Sequence, residues 1–428
     1  MEKLSELAET MVGSEIVKLG NAINERRRKG ENIFNFTIGD FDPEVFPIPK
    51  ELEDLIVKSY RQHHTSYPPA EGVLELRESI AAFLEEWEQL EYSLPEILVA
   101  SGGRPLIYAL FKSVVDENDK VIYAVPSWNN NHYTNMHWGQ HCLIETSPEN
   151  NFMPTAEDVS KNIKDAVLIC LCTPQNPTGT TLNKEALAEI CDLIVAENKR
   201  RKPSEKKLYL MFDQMYWTLT YGDIQHYNPV SLNAEMHKYT VFIDGISKAF
   251  AATGVRVGWA FGPQDVIAKM KAFLSHIGAW APMAEQKATA EYLRETQSIK
   301  NHFTNFKASL ELRLHRIYEG LISLKEKGFN VDAITPQAGI YLTVKFDLVG
   351  TKTENKELKN QEDVTAYLLD EAKLAIVPFY AFGASRESVW YRLSVGTCKI
   401  KDIDPFLNKL EIALQKLKLT ESLAADKV

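Results

Sequence analysis

Long apolar runs are what this sequence most plainly lacks. The longest extends only from Ala166 to Cys172, far short of the roughly 20 residues a membrane-spanning helix needs, so no membrane protein is expected. Cysteine is scarce as well: five in 428 residues, an odd number at irregular spacing. That argues against a disulfide framework, and Cys170 and Cys172, one residue apart on an apolar stretch, are poorly spaced for a metal and read as core packing. Positive charge is in deficit, with 48 Lys and Arg against 58 Asp and Glu, a formal charge of −10. Nonspecific nucleic-acid binding needs a basic face, which this balance disfavours. The two basic runs, Arg26–Lys29 and Lys199–Lys202, fall at the ends of helix-like stretches and read as solvated helix ends. The opening residues Met1–Glu6 carry acidic side chains and no apolar segment of the signal-peptide kind. A reducing, cytoplasmic setting is the expectation.

What is present is ordinary globular material, 45% hydrophobic, 25% charged and 10% aromatic. A chain this long exceeds one hydrophobic core, so two domains are expected. Residues 1–30 look helical and amphipathic, and the passage Ile38–Pro43, rich in Gly, Asp and Pro, must be loop. Between about residues 70 and 260, helix-like stretches alternate with short apolar runs: Ile97–Ala100, Lys120–Ala124, Ala166–Cys172, Leu208–Phe212, Tyr239–Asp244 and Val255–Phe261. Several of these do not alternate with polar residues, as expected of strands covered on both faces. The repeat of strand and helix predicts an α/β fold, a mainly parallel central sheet with helices on both faces. A long charged helix over Gln297–Lys327 breaks the rhythm, and strands near Ile340–Phe346 and Tyr391–Val395 follow, mixed with helices. A smaller α+β domain is expected there. The expected division is an N-terminal segment 1–49 packing with the small domain, a large domain 50–297 and a small C-terminal domain 298–428.

In open α/β sheets, ligands bind beyond the carboxyl ends of the strands. Four segments with unusual chemistry fall at such ends. Ser101, Gly102, Gly103 and Arg104 follow the first run. The glycines let backbone N–H groups approach a phosphate at a helix N-terminus, although a glycine pair can merely turn the chain. Pro105 suits a first helical turn but removes one donor. The segment Thr173–Gly179, with two prolines, forms a rigid turn presenting Asn176 to a ligand oxygen; an Asn-Pro turn without function is the alternative. Asp213 ends its strand, with Tyr216 three residues on. A buried carboxylate there needs a partner such as a cationic ring nitrogen, while a loop-capping Asp is the plainer reading. The most informative segment runs from Asp244 through Ser247 and Lys248 to Thr253, Gly254, Arg256, Gly258 and Trp259. A lysine just past an apolar strand, among small residues, is a nucleophilic amine suited to a Schiff base.

With these residues in order, the chain resembles the class I/II aminotransferases, of the fold-type-I pyridoxal-phosphate superfamily. The resemblance extends from Gly39 to Arg392 and rests on Asn-Pro-Thr-Gly at 176–179, Asp-x-x-Tyr at 213–216, and Ser-Lys at 247–248 with Gly-x-Arg-x-Gly-Trp at 254–259. It implies pyridoxal 5′-phosphate as cofactor, held as a Schiff base on Lys248 with Asp213 on the ring nitrogen. Asn176 and Tyr216 would contact the ring oxygen, and Ser247, Arg256, Gly103 and Arg104 would hold the phosphate. Trp128 resembles the aromatic residue that covers the ring face. Tyr67 resembles the tyrosine that reaches the neighbouring subunit's phosphate, which implies a homodimer. Arg392 resembles the arginine that clamps the substrate α-carboxylate, with Gly39, Asn176 and Trp128 beside the substrate. The implied reaction exchanges the amino group of an L-amino acid, aspartate or another acidic or broadly accepted one, with a 2-oxo acid in two half-reactions.

Departures from the family bear on specificity. Gly39, Asp40, Phe41 and Asp42 replace a commoner Gly-x-Pro-x loop. No second arginine stands out for a distal carboxylate. Lys112 holds a place some bacterial aspartate enzymes resemble, or is a solvated helix lysine. Asn129, Asn130 and Asn131 either line the substrate pocket or cap a helix. His132, His137 and His141 share no helix face, so no metal site is expected. A carbon–sulfur lyase acting by β-elimination would share every residue above and is the alternative reaction. A non-catalytic pyridoxal-phosphate sensor would need roughly 70 or more further residues of basic helix-turn-helix before residue 30, and is not expected.

Overall fold

The computed structural model describes residues 4–11, 13, 15–354 and 357–419. It separates into two compact units. The larger comprises Phe46–Asn176 and Thr180–Lys307; the smaller comprises Val45 and the described residues before it, Pro177–Gly179 and the described residues from Ala308 onward.

The larger unit is built on seven strands: β1 Ile97–Ala100, β2 Lys120–Val125, β3 Gln140–Glu145, β4 Ala166–Cys172, β5 Tyr209–Asp213, β6 Thr240–Gly245 and β7 Gly258–Phe261. Their order is β1-β7-β6-β5-β4-β2-β3. Strands β2 to β6 pair in parallel, whereas β7 runs antiparallel to both β6 and β1. The apolar runs have the expected cause: β1, β6 and β7 are buried along their whole length. Alternate residues go to opposite faces. Ile97, Val99, Ile169, Leu171, Leu210 and Phe212 pack with Leu76, Ile80 and Phe83 of the helix Leu74–Glu88 and with Leu187 and Ile190 of Lys184–Arg200. Leu98, Val121, Tyr123, Leu168, Met211 and Ile243 pack on the other side against Leu106, Leu110 and Phe111 of Gly103–Val114 and Met270 and Leu274 of Gln264–Ile277. Each such side chain contributes about 1.5–3 kcal/mol on burial. The α/β class with a mainly parallel sheet covered on both faces is as expected.

The smaller unit holds an antiparallel sheet of β8 Val331–Ala333, β9 Tyr341–Phe346, β10 Val377–Pro378 and β11 Trp390–Ser394, in the order β10-β11-β9-β8. Thr343 faces Arg392 across β9 and β11. Phe34–Asn35 pairs in parallel with Leu374–Ala375, and Phe406 of the helix Ile403–Gln415 packs on Phe34 and Phe36 with ring centroids 6.1 and 5.0 Å apart. A long helix, Thr296–Glu326, contains the division between the units.

The N-terminal stretch, expected to be helical over residues 1–30, is helical among the described residues over Glu6–Thr10 and Glu15–Arg28. Two details differ from expectation. The run Val255–Phe261 becomes strand only from Gly258, because Arg256 takes a left-handed conformation with φ +61°. The sheet also gains an edge strand, β3, whose exposed and buried residues alternate. No helix among the described residues is long and apolar enough to cross a membrane.

Candidate active site

Parallel pairing sets the site. Because β1, β2, β4, β5 and β6 point the same way, their carboxyl ends and the loops that follow share one edge of the sheet. Trp128 follows β2, Asn176 follows β4, Asp213 is the last residue of β5 with Tyr216 beyond it, and Ser247 and Lys248 follow β6. Strand β7 runs the other way, so its start lies at this same edge, and Arg256, two residues before it, arrives beside Ser101. Its Nη2 donates to the Ser101 carbonyl and its Nη1 to the Thr253 carbonyl, both at 2.7 Å. The sequence-predicted residues Gly103, Arg104, Trp128, Asn176, Asp213, Tyr216, Ser247, Lys248 and Arg256 are thus carried by one sheet edge.

One end of this edge is made of close backbone. A Cβ on Gly258 would lie 2.7 Å from the Gly102 carbonyl carbon, and one on Gly245 would lie 2.7 Å from the Gly258 Cα. Gly102 has φ +91°, and a Cβ there would stand 2.3 Å from Arg256 Nη2. Three glycines therefore let β1, β6 and β7 converge with the arginine fork in their midst. The helix Gly103–Val114 starts here, and its N-terminus carries partial positive charge. Pro105 sits in its first turn and supplies no N–H. Backbone N–H groups, the buried Ser247 hydroxyl and a guanidinium form a donor set suited to a phosphate dianion.

The other end suits an aromatic cation. Asp213 accepts the Met215 N–H at 3.1 Å. Its surface is only partly covered, yet surrounding protein strips its water, and this burial pushes its pKa up to about 6. A cation beside it would reverse the shift. Tyr216 and Asn176 are both buried, and Lys248 Nζ lies 5.8 Å from the Tyr216 ring centroid. The turn bearing Asn176 is closed by Gln175 N–H to Thr180 O at 2.9 Å and by Leu182 N–H to Thr173 Oγ1 at 3.1 Å. Gln175 Nε2 donates to Pro126 O at 2.8 Å, tying this turn to the loop of Trp128. The exposed Arg104 sets its guanidinium 5.3 Å from the Trp128 ring centroid.

Other candidates have different settings. Tyr67 is 85% exposed and meets Trp280 edge-on, with centroids 5.3 Å apart. Lys112 is exposed in the last turn of its helix. Asn129 takes φ +59° ahead of the helix Asn130–Met136, and buried Asn130 donates to Ser127 Oγ at 3.3 Å. His137 Nδ1 bonds the Tyr133 carbonyl at 2.7 Å, and His141 bonds the Tyr123 hydroxyl at 2.6 Å.

In the smaller unit, Arg392 is 2% exposed. Its guanidinium carbon lies 4.7 Å from the Tyr341 ring centroid and 4.8 Å from that of Phe382, and Nη2 donates to the Thr37 carbonyl at 2.7 Å. A Cβ on Gly39 would lie 2.7 Å from the Tyr341 hydroxyl, so a side chain there would push on Tyr341, while Arg392 Nη1 stands at an ordinary contact distance of 3.5 Å. A buried guanidinium held by two aromatic rings and a carbonyl is a stiff receptor for a carboxylate.

Sequence reasoning missed a group behind Asp213: Glu88, Gln214, Trp217 and Asp244. Gln214 is fully buried and donates to both Glu88 oxygens at 2.9 Å, and Trp217 Nε1 donates to Asp244 Oδ2 at 3.0 Å. The available signal was an acidic residue closing an apolar strand, at Asp244, directly ahead of the lysine segment.

Known proteins resemble the chain in sequence and in fold. The sequence pattern of the family described as aminotransferase class I and II matches residues 31–410. The chain is 29% identical over 422 residues to the aspartate aminotransferase of Bacillus subtilis (strain 168), covering 97% of this chain and 98% of that one. It is 30% identical over 380 residues to the probable aspartate/prephenate aminotransferase of Rickettsia typhi, covering 87% and 89%. The solved Thermus thermophilus aspartate aminotransferase with maleate superposes with a TM-score of 0.85 at 26% identity, over 97% of this chain and 100% of that one. The Rhizobium meliloti aspartate aminotransferase shares the fold with a TM-score of 0.87 at 24% identity, over 98% and 100%.

Proposed function

The chain belongs to the class I and II aminotransferases, pyridoxal-phosphate enzymes that move an amino group from an amino acid to a 2-oxo acid, and on that premise we propose that Lys248 carries the cofactor and Arg392 holds the substrate α-carboxylate. One observation supports this reading above the others: neighbouring parallel strands deliver a lysine and a desolvated carboxylate, Asp213, to the same sheet edge. Bound there, pyridoxal 5′-phosphate supplies an electron-poor ring that accepts the electron pair left when the substrate Cα–H bond breaks.

The chain's own residues do the rest. Asp213, ionised beside a ring cation, keeps that nitrogen protonated. Arg256, Ser247 and the N–H groups of Gly103 and Arg104 hold the phosphate, which neutralises its charge and fixes the register of the ring. Asn176 and Tyr216 donate to the ring oxygen, and Trp128 covers a face. The Lys248 amine would accept the Cα proton and return one later, a general base and acid in a single position. Arg392, with Gly39 beside it, would hold the substrate α-carboxylate.

We further propose an acidic amino acid, aspartate or a broader set, as donor. The exposed Arg104 guanidinium over Trp128 offers a second cation for a distal carboxylate, and the relatives reported above are named for aspartate. The exposed Tyr67 fits a role in a neighbouring copy's site, which makes a homodimer the active unit. Five unpaired cysteines suit a reducing compartment such as the cytoplasm.

The test is direct. Protein supplied with cofactor is mixed with a panel of amino acids while the cofactor's visible absorbance is followed, then treated with borohydride. The expected results are a response to acidic donors and an adduct fixed on Lys248. Lys248→Ala should fold, show no adduct and lose turnover. Appreciable activity in that variant sinks the assignment.

A further inference from the structure

Two carboxylates are buried behind the sheet edge with no cation among the described residues paired to them. Glu88 closes the helix Leu74–Glu88 and is 6% exposed; Asp244, on β6, is 1% exposed. Among the described residues no lysine, arginine or histidine forms an ion pair with either. Both oxygens of Glu88 rest on the one amide nitrogen of Gln214, 2.9 Å from each. Asp244 is better served: it accepts Trp217 Nε1 at 3.0 Å and the Gly245 N–H at 2.7 Å, and the Gln214 amide lies beside it too.

The bonds join two functional segments. Gln214 follows Asp213 in the chain, Trp217 follows Tyr216, and Asp244 precedes Lys248 by four residues on the segment that bears it. Trp217 to Asp244 therefore ties the Asp213–Tyr216 turn to the lysine segment, and Gln214 to Glu88 ties it to the helix on that face of the sheet.

Two buried anions sharing one neutral amide are costly, and a helix C-terminus disfavours the charge on Glu88 further. We propose that Glu88, Gln214 and Asp244 form a positioning network in which Glu88 stays a neutral acid at physiological pH while Asp244, with more donors, takes the charge. Burial first, then Asp244, raises the Glu88 pKa; burial pushes Asp244 to about 7, with Asp213 a smaller like-charge contribution. Among the described residues Tyr92 also faces Glu88, and burial keeps its hydroxyl neutral. The positioning role rests on the assignment of Asp213 and Lys248 above; the proton on Glu88 does not.

The experiment uses the apoprotein, so its outcome is independent of turnover. Infrared difference spectra of wild type minus Glu88→Gln at neutral pH should show the carbonyl stretch of a protonated carboxylic acid. A folded-state pKa raised above the unfolded value costs stability as pH climbs, since the unfolded chain sheds a proton the folded chain keeps. The unfolding midpoint of Glu88→Gln should therefore gain on wild type as pH climbs above the ordinary carboxylate range. In Asp244→Asn the like charge is gone, so the acid band should disappear at lower pH than in wild type. Restoring the cofactor to Asp244→Asn should give weaker retention than wild type, the sign of a displaced lysine segment. A missing acid band together with a pH-independent midpoint gap would overturn the proposal. Should Glu88→Gln not fold, the pH titration of the band in wild type and Asp244→Asn decides alone: no band in either overturns it.

Discussion

Alanine at position 102 is the sharpest probe of the phosphate end. Gly102 adopts φ +91°, a conformation that costs a residue with a Cβ about 1–3 kcal/mol. The added carbon would lie 2.3 Å from Arg256 Nη2 and 2.9 Å from its Cζ, too close for either to remain. Displacing the guanidinium breaks its bonds to Ser101 and Thr253 and withdraws a charged donor from the phosphate. One charge-assisted hydrogen bond contributes about 1.5–3 kcal/mol, so cofactor affinity should fall roughly tenfold to a hundredfold. Titrating apoprotein with cofactor and following absorbance gives the dissociation constant. Gly103→Ala is the control: its Cβ would meet only the Met215 Cε at 3.0 Å and Ile243 Cγ2 at 3.3 Å, and the methionine end can yield. Its effect should stay within a few-fold. If Gly102→Ala retains the cofactor as tightly as wild type, Arg256 is not the phosphate anchor.

Three other outcomes can be measured. In apoprotein, Asp213 titrates near 6 rather than 3.8, so its burial costs stability that grows from about pH 4 to about 6 and then levels off; Asp213→Asn should gain on wild type across that window, by at most about 3 kcal/mol, in unfolding midpoints. A midpoint gap that does not vary with pH there would contradict the desolvated-carboxylate reading. Arg392→Lys keeps the charge but loses the planar fork, so KM for amino donors should rise about tenfold or more with a smaller change in kcat. Tyr67→Phe should weaken cofactor retention modestly, a few-fold by the same titration, and unchanged affinity counts against its role at a neighbouring site.

Much of the fold was legible because six strands are apolar on both faces, a signal that survives without tertiary information. The edge strand Gln140–Glu145 was not, since its polar residues Gln140, His141 and Glu145 leave too short an apolar run. Arg256 misled in another way: its neighbours Val255 and Val257 favour strand, but its bonds to Ser101 and Thr253 hold it at φ +61°, and no propensity reports such a bond. At the site, motif residues could be read because each sits beside a glycine, proline or strand end that marks its place. Glu88 could not. At the end of a helix it reads as a solvated acid, and only packing brings Gln214 over it. Arg104 shows the same limit: the glycine pair located it, yet its guanidinium turns to Trp128, a residue 24 positions away.

The reversed direction of β7 has a consequence for how this chain can change over time. Residues 246–257 make one excursion that leaves the sheet and re-enters it, pinned at both mouths where Gly245 and Gly258 touch. Lys248 and Arg256 ride on it together, so the spacing between amine and guanidinium behaves as a fixed gauge. Lengthening or shortening that excursion by one residue would throw one of the two out of place. Diversity among descendants should therefore accumulate in other loops and leave this interval's length alone.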